Sequence, residues 1–194
     1  HFYVTLTTRC NLRCRYCYGK LFDDFGTTLG DLEIDYDLPS DVGYSLDHLK
    51  QFCEKDSDLT LIFYGGEPLL RVDKVREIMD NVEAKRYMIQ TNGLLLQSLG
   101  EEYLNRFHTI LVSIDGDEEL TDHLRGEGVY RRVVDNVKLL RPQGFCGEVI
   151  ARMTVTGETD IERQVWHLLF NDECSFESVH WQLDALFWKN DYNR

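Results

Sequence analysis

The segment Phe2–Tyr18 reads F-Y-V-T-L-T-T-R-C-N-L-R-C-R-Y-C-Y, and its two halves call for different structures. Phe2 to Thr7 is rich in β-branched and aromatic residues, the composition of a strand. It runs straight into Cys10, Cys14 and Cys17, separated by three and then two residues. Thiolates so closely spaced form a ligand set, soft enough for zinc or iron. A closed zinc site wants four ligands, and no fourth Cys or His lies nearby. An iron–sulfur cube held by three cysteines instead leaves one iron open to another ligand. The offsets of four and seven also fit a stripe on a buried helix, although Arg9, Asn11, Arg13 and Arg15 make a poor core segment. The ligand set then lies at the C-terminal end of a first strand.

Outward from this segment the chain repeats one unit. Ser45 is placed as the N-cap of a helix over Leu46–Lys55, with Leu46, Leu49, Phe52 and Cys53 on its apolar face. Leu59–Tyr64 is a strand that ends in Gly65-Gly66-Glu67-Pro68, with a helix over Leu69–Ala84. A strand over Tyr87–Thr91 ends in Asn92-Gly93 and leads to a helix over Leu94–Phe107. Thr109–Ile114 ends in Asp115-Gly116; a polar connection through Arg125, Gly126 and Gly128 precedes a helix over Val129–Arg141. Glu148–Thr156, a helix capped by Asp160 that carries Trp166, Leu168 and Leu169, and a last strand over Val179–Phe187 complete the series. Strands alternating with helices at this spacing mean crossover connections and a parallel sheet. The fold class is α/β, an open (β/α)6 partial TIM barrel, since a full eight-stranded barrel takes about 250 residues. In such folds the loops at the C-terminal strand ends carry the chemistry, and each distinctive motif here falls at one of those ends.

One stretch departs from the repeat. Leu21–Gly43 holds Asp23, Asp24, Asp31, Glu33, Asp35 and Asp37 among glycines, threonines and Pro39, and reads as an acidic inserted loop beside the cysteines. With this insert, residues 1–194 read as one domain, the core of a longer protein.

Composition narrows the classes. With 43% hydrophobic and 12% aromatic residues the chain is an ordinary globular one. No run of about 18 apolar residues would span a membrane, and His1–Thr7 lacks the regions of a signal peptide, so a cytoplasmic location is the default. Cys53, Cys146 and Cys174 are dispersed in apolar or helical surroundings and read as reduced thiols. A formal charge of −13 argues against nonspecific nucleic-acid binding, while Arg9, Arg13, Arg15 and Lys20 make a local basic excess around the cysteines.

The strand ends offer further groups. In Gly65-Gly66-Glu67-Pro68 the glycines let a ligand approach the backbone, Glu67 offers an acceptor to an ammonium group, and Pro68 fixes the turn before a helix. Tyr16 presents an aromatic face suited to a purine or to core packing. Asn92, Ser113 and Asp115 can bond hydroxyl groups, and all lie near N-G or D-G turns that also occur without function. Arg152, inside the strand A-R-M-T-V-T, needs an anionic partner unless it lies at an exposed edge. His48, His108, His123, His167 and His180 lack metal spacing and read as structural. Asp122 and Arg125 read equally as a solvated helix start, and Gln182 and Asp184 share one face of the last strand, with Trp181 on the other.

The cysteine spacing together with the G-G-E-P turn resembles the radical S-adenosylmethionine (SAM) enzymes, over the chain from the cysteines to its end. The resemblance implies a [4Fe–4S] cluster on Cys10, Cys14 and Cys17, chelated at its open iron by the cofactor's amino and carboxylate groups. It places Gly65, Gly66, Glu67 and Pro68 at the methionyl amino group, Tyr16 against the adenine, Asn92, Ser113 and Asp115 on the ribose side, and Arg152 at the carboxylate, and it likens the segment of Asp122 and Arg125 to one that closes over the pocket. Reductive cleavage of S-adenosylmethionine to a 5′-deoxyadenosyl radical, which abstracts a substrate hydrogen, would follow. The motifs look closest to the peptide- and protein-modifying (SPASM-like) branch, implying a peptide or protein substrate and a one-electron donor such as a flavodoxin or ferredoxin. That branch usually adds a C-terminal cysteine-rich domain, and no such cysteine group occurs in these residues. A small-molecule substrate, and a noncatalytic iron–sulfur module, are the alternatives.

Overall fold

A computed structural model describes residues 1–17, 28–29, 32–33, 40–41, 43–173 and 176–184. The apolar run of the opening segment forms β1 (Phe2–Thr7). Within the acidic stretch, β2 (Thr28–Leu29) and β3 (Leu32–Glu33) pair antiparallel, and Asp41 forms a bridge with Thr7. The stretch read as a loop thus contains a two-stranded ribbon and is stitched to β1 at its far end. Asp23, Asp24, Asp31, Asp35, Asp37 and Pro39 lie outside the described residues.

The chain then passes through α1 (Leu46–Cys53), β4 (Thr60–Gly65), a 3-10 turn (Pro68–Arg71) and α2 (Val72–Asn81). Next come β5 (Arg86–Thr91), a second 3-10 turn (Leu96–Leu99), α3 (Gly100–Leu104) and β6 (Phe107–Ser113). The last elements are α4 (Glu118–Arg125), α5 (Val129–Lys138), β7 (Glu148–Val155), α6 (Ile161–Phe170) and β8 (Ser178–Leu183). Six strands form one sheet in the order β1-β4-β5-β6-β7-β8, every neighbouring pair parallel. The sheet does not close, and the architecture is the open (β/α)6 partial barrel read from the sequence. Among the described residues no helix is long and apolar enough to cross a membrane.

Register explains which face is which. Phe63, Ile89, Ile110 and Val149 line up across four strands and are 0–1% exposed, packed in the core beneath the helices. Burying each such side chain contributes roughly 1.5–3 kcal/mol. On the opposite, concave face the row Ser113, Arg152, His180 runs across β6, β7 and β8, and the polar groups of the site project there.

The structure corrects several boundaries. The helix read over Leu69–Ala84 opens as a 3-10 turn capped by the Glu67 side chain and ends at Asn81 because Val82 is extended. The helix read over Leu94–Phe107 is broken in two, since Gly100 takes φ +73°. The helix from Val129 ends at Lys138, not Arg141. The polar connection before it contains α4, which starts at the N-cap Asp117, whose side chain accepts from Leu120 N. Phe52 and Trp166, placed on core-bearing helices, are exposed. Cys53 is buried, but Cys146, read as apolar packing, is an exposed free thiol, while Cys174 and Phe187 lie outside the described residues.

Candidate cluster and cofactor site

The cysteine loop leaves β1 under tight backbone control. The Gly66 amide donates to the Thr7 carbonyl and the Glu67 amide to the Arg9 carbonyl, both at 2.8 Å. A Cβ on Gly65 would sit 2.3 Å from the Thr7 oxygen, and one on Gly66 2.3 Å from the Arg9 oxygen. The glycines are therefore demanded first by the protein's own backbone, where the sequence offered only a ligand as the reason. On the other side Thr8 N donates to the Ser40 carbonyl at 2.8 Å, and Arg9 pairs with Asp41 at 2.7 Å.

Glu67 is 0% exposed. Its Oε1 accepts from Leu69 N at 2.9 Å and Thr91 Oγ1 at 2.8 Å, and its Oε2 from Asn92 N at 2.7 Å. Burial pushes its carboxyl above the usual range, with these three donors acting the other way. The carboxylate expected to face an ammonium group is thus enclosed, joining the ends of β4 and β5. Pro68, also buried, opens the turn that Glu67 caps.

Asn92 meets the cysteine loop directly. Its Nδ2 donates to Asn11 Oδ1 at 2.7 Å and lies 3.8 Å from Cys10 Sγ, which also accepts from Leu12 N at 3.4 Å. The residue read as a ribose ligand is in this structure a partner of the first thiol. Burial pushes the Cys10 and Cys14 thiols above their ordinary pKa, the usual effect on a thiol without bound metal.

The second half of the loop is held from β6. Tyr16 Oη donates to Asp115 Oδ2 at 2.7 Å, and the Arg125 guanidinium lies 5.4 Å from the Tyr16 ring centre. Arg125 grips Asp115 in two-pronged fashion, Nε to Oδ2 at 2.7 Å and Nη2 to Oδ1 at 2.9 Å. Thr154 N adds a fourth donor at 2.9 Å. Asp115 is fully buried, and these four donors occupy both of its carboxylate oxygens. Burial, reinforced by Asp115, pushes the Tyr16 phenol far above its ordinary range. Thr154 has no local spacing to announce it, because its partner lies far off in the chain, and Arg125, read as part of a solvated helix start, is buried in the last turn of α4.

Arg152 is 9% exposed, and among the described residues it donates to the Met153 carbonyl at 3.3 Å and pairs with no carboxylate. Burial lowers its pKa, as for any cation removed from water. Ser113, half-buried on β6, and His180 on β8 flank it in register.

Residues 4–169 match the model of the Radical SAM superfamily. The chain belongs to that family of enzymes. A probable GTP 3′,8-cyclase of Methanocella arvoryzae is 30% identical over 169 residues, 84% of this chain and 50% of its own length. A cysteine-type anaerobic sulfatase-maturating enzyme of Clostridium novyi is 27% identical over 69% of this chain and 38% of its own. A structure of anSMEcpe with bound AdoMet superposes with a TM-score of 0.67 at 17% identity, covering 94% of this chain and 50% of that one. Streptococcus suis SuiB bound to the precursor peptide SuiA gives 0.64 at 16% identity over 94% and 39%. The two structures establish likeness of fold. The chain spans about half the length of the curated relatives it matches.

Radical SAM enzymes use a [4Fe–4S] cluster and S-adenosylmethionine, and the residues present fit both. Among the described residues no three ligand groups gather tightly enough to chelate a single ion, but the cysteines of a four-iron cube bind different irons. The N–H groups of Leu12 and Asn92 turned toward Cys10 Sγ are the hydrogen bonds that support a cluster thiolate. Arg152, buried and without a carboxylate partner among the described residues, fits an anionic group of the cofactor.

Proposed function

We propose that this chain is the radical-generating core of a radical SAM enzyme that abstracts hydrogen from a peptide or protein substrate. The observation that carries this reading is the three-thiol loop at the end of β1, bonded through Gly66 and Glu67 to the end of β4. Bound together, cluster and cofactor would supply one electron and a carbon radical for hydrogen abstraction. Cys10, Cys14 and Cys17 would hold the cluster, and Leu12 N and Asn92 would stabilise the first thiolate. Arg152, with Ser113 beside it, would hold the cofactor carboxylate; the backbone of Gly65 and Gly66 would border its amino end, and Tyr16 would offer the ring face not covered by Arg125. Residues 1–194 act as one core domain, with residues 21–43 as an acidic insert beside the cluster loop.

The peptide substrate is favoured by the sulfatase-maturating relative and by the SuiB complex with its precursor peptide. The cyclase relatives favour a second reading, a small-molecule substrate. A flavodoxin or ferredoxin would deliver the electron, and the cytoplasm would keep the free thiols reduced. With a charge of −13, neither nucleic acid nor an anionic membrane is a partner. The test is anaerobic reconstitution with iron and sulfide, reduction with dithionite, and assay of 5′-deoxyadenosine from S-adenosylmethionine. Its formation supports the enzyme, and cluster-loaded protein that forms none would leave the iron–sulfur module. Stimulation by GTP but by no peptide of a cysteine- or serine-bearing library would overturn the peptide reading.

A further inference from the structure

The pair Asp115–Arg125 is the most completely buried charge pair in the described structure, with side-chain exposures of 0% and 6%. Replacing such a pair by apolar residues of similar volume is often neutral or stabilising, so its presence calls for a reason beyond stability. Its contacts supply one. The same carboxylate takes its donors from three separate elements: Tyr16 from the cysteine loop, Arg125 from the last turn of α4, and Thr154 from the end of β7. The loop meets α4 a second time, since Arg15 N donates to the Leu124 carbonyl at 2.8 Å, and Arg15 Nη1 lies 2.8 Å from His123 Nε2. Tyr16 stands between Cys14 and Cys17, whose backbones are joined by a 3.2 Å bond from Cys17 N to the Cys14 carbonyl. A shift of the backbone at Tyr16 would therefore carry Cys14 and Cys17 with it. The first thiol has a different support, through Asn92 and the G-G-E turn.

We propose that Asp115 and Arg125 form a positioning pair for the cluster, with Tyr16 as the strut that transmits the placement of the β6 end to Cys14 and Cys17. The inference rests on the reading of this loop as the cluster site. Asp115 and Arg125 touch no reacting atom; they act through Tyr16. The strut is a single hydroxyl-to-carboxylate bond, and Tyr16→Phe removes it while leaving the ring, its contact with Arg125 and the buried pair in place. A role confined to holding β6, α4 and β7 together leaves the loop indifferent to that change.

The experiment compares the full chain and its Tyr16→Phe variant, reconstituted anaerobically with iron and sulfide, by chelator challenge and by electron paramagnetic resonance of the reduced cluster. We expect Tyr16→Phe to fold as the parent does by circular dichroism and to take up four irons. It should surrender them to chelator several-fold faster, with shifted g-values. Asp115→Asn, which weakens the same strut from the other end, should change the spectrum in the same direction; should it not fold, Tyr16→Phe alone decides. A Tyr16→Phe protein with parental chelator resistance and an unaltered spectrum would overturn the proposal. Failure of the parent itself to bind four irons would overturn the cluster reading instead, and the two results are distinct.

Discussion

At Gly66 the space for a side chain is already filled, by the carbonyl oxygens of Thr8 and Arg9 at 2.4 and 2.3 Å from where a Cβ would stand. Neither neighbour is a flexible side chain that can swing away. We expect Gly66→Ala to cost about 1–3 kcal/mol, the scale of overpacking, and to lower iron uptake because the loop start must move; urea denaturation and iron counts measure the two. Glu67→Gln poses a subtler conflict at the same turn. Three donors converge on the carboxylate, and whichever oxygen becomes an amide nitrogen will face a donor. A loss of about 1–3 kcal/mol should appear in the cluster-free protein, the range for leaving a buried group without its partner. Were Glu67 a cofactor ligand alone, the cluster-free protein would keep its full stability. Arg152→Ala is expected to behave oppositely. Among the described residues no carboxylate loses a partner, so the fold should persist while S-adenosylmethionine binds roughly 1–3 kcal/mol more weakly by calorimetry.

Among the elements, α4 shows how a short helix is fixed from its first residue. Asp117 accepts from Leu120 N at 3.0 Å, from Arg163 Nη2 at 2.7 Å and from Gln164 Nε2 at 3.1 Å. One side chain thus caps α4 and ties it to α6. Asp117→Ala should cost about 1–2 kcal/mol, at the upper part of the range for N-cap removal, read as a lower urea midpoint with an unchanged slope. Because α4 presents Leu124 and Arg125 to the cysteine loop, hydrogen exchange at Arg15 N should quicken in the same variant. This helix was only half legible in the sequence. The cap and the acidic first turn of D-E-E-L are visible, but Gly116, Gly126 and Gly128 around eight helical residues give the composition of a loop. The central strands β4 and β6 were legible from the continuous, mostly buried runs L-I-F-Y and T-I-L-V, and β1 and β8, which are not buried on both faces, from their β-branched and aromatic residues. The helix over Leu94–Phe107 was misread because leucines at 96 and 99 fit a 3-10 turn as well as an α-helix. At the site, the cysteine spacing and the turn G-G-E-P were readable as local strings. The partners of Asp115 and Glu67 were not, since a carboxylate's donors from other strands leave no spacing in the chain.

Taken across the whole molecule, the cysteine loop is bonded to the ends of successive strands. Gly66 and Glu67 hold it from β4, Asn92 from β5, and Asp115 from β6, with Thr154 of β7 joined through Asp115. A cluster bound at Cys10, Cys14 and Cys17 would therefore brace the C-terminal rim of the barrel as well as the loop, and ligand binding to the folded state alone raises stability. The loaded parent should melt at a higher temperature than the iron-free protein under strict anaerobiosis. Alanine at Cys10, Cys14 or Cys17 should abolish the stable four-iron cluster and this increment together, because each such variant retains only two of the three thiols. Cys53, the last residue of α1, is 2% exposed, so Cys53→Ala should lose some stability and keep its iron. Cys146 is exposed, its Sγ 3.3 Å from the Gly144 carbonyl in the turn before β7. That turn precedes the N-terminal end of its strand, the opposite end of the sheet from the cysteine loop, so Cys146→Ala should leave both iron content and melting unchanged. Iron and sulfide counts beside anaerobic melting curves of all five variants separate these cases. A folded Cys146→Ala protein that had lost its iron would require a second metal site and would refute the assignment of one cluster to the first three cysteines.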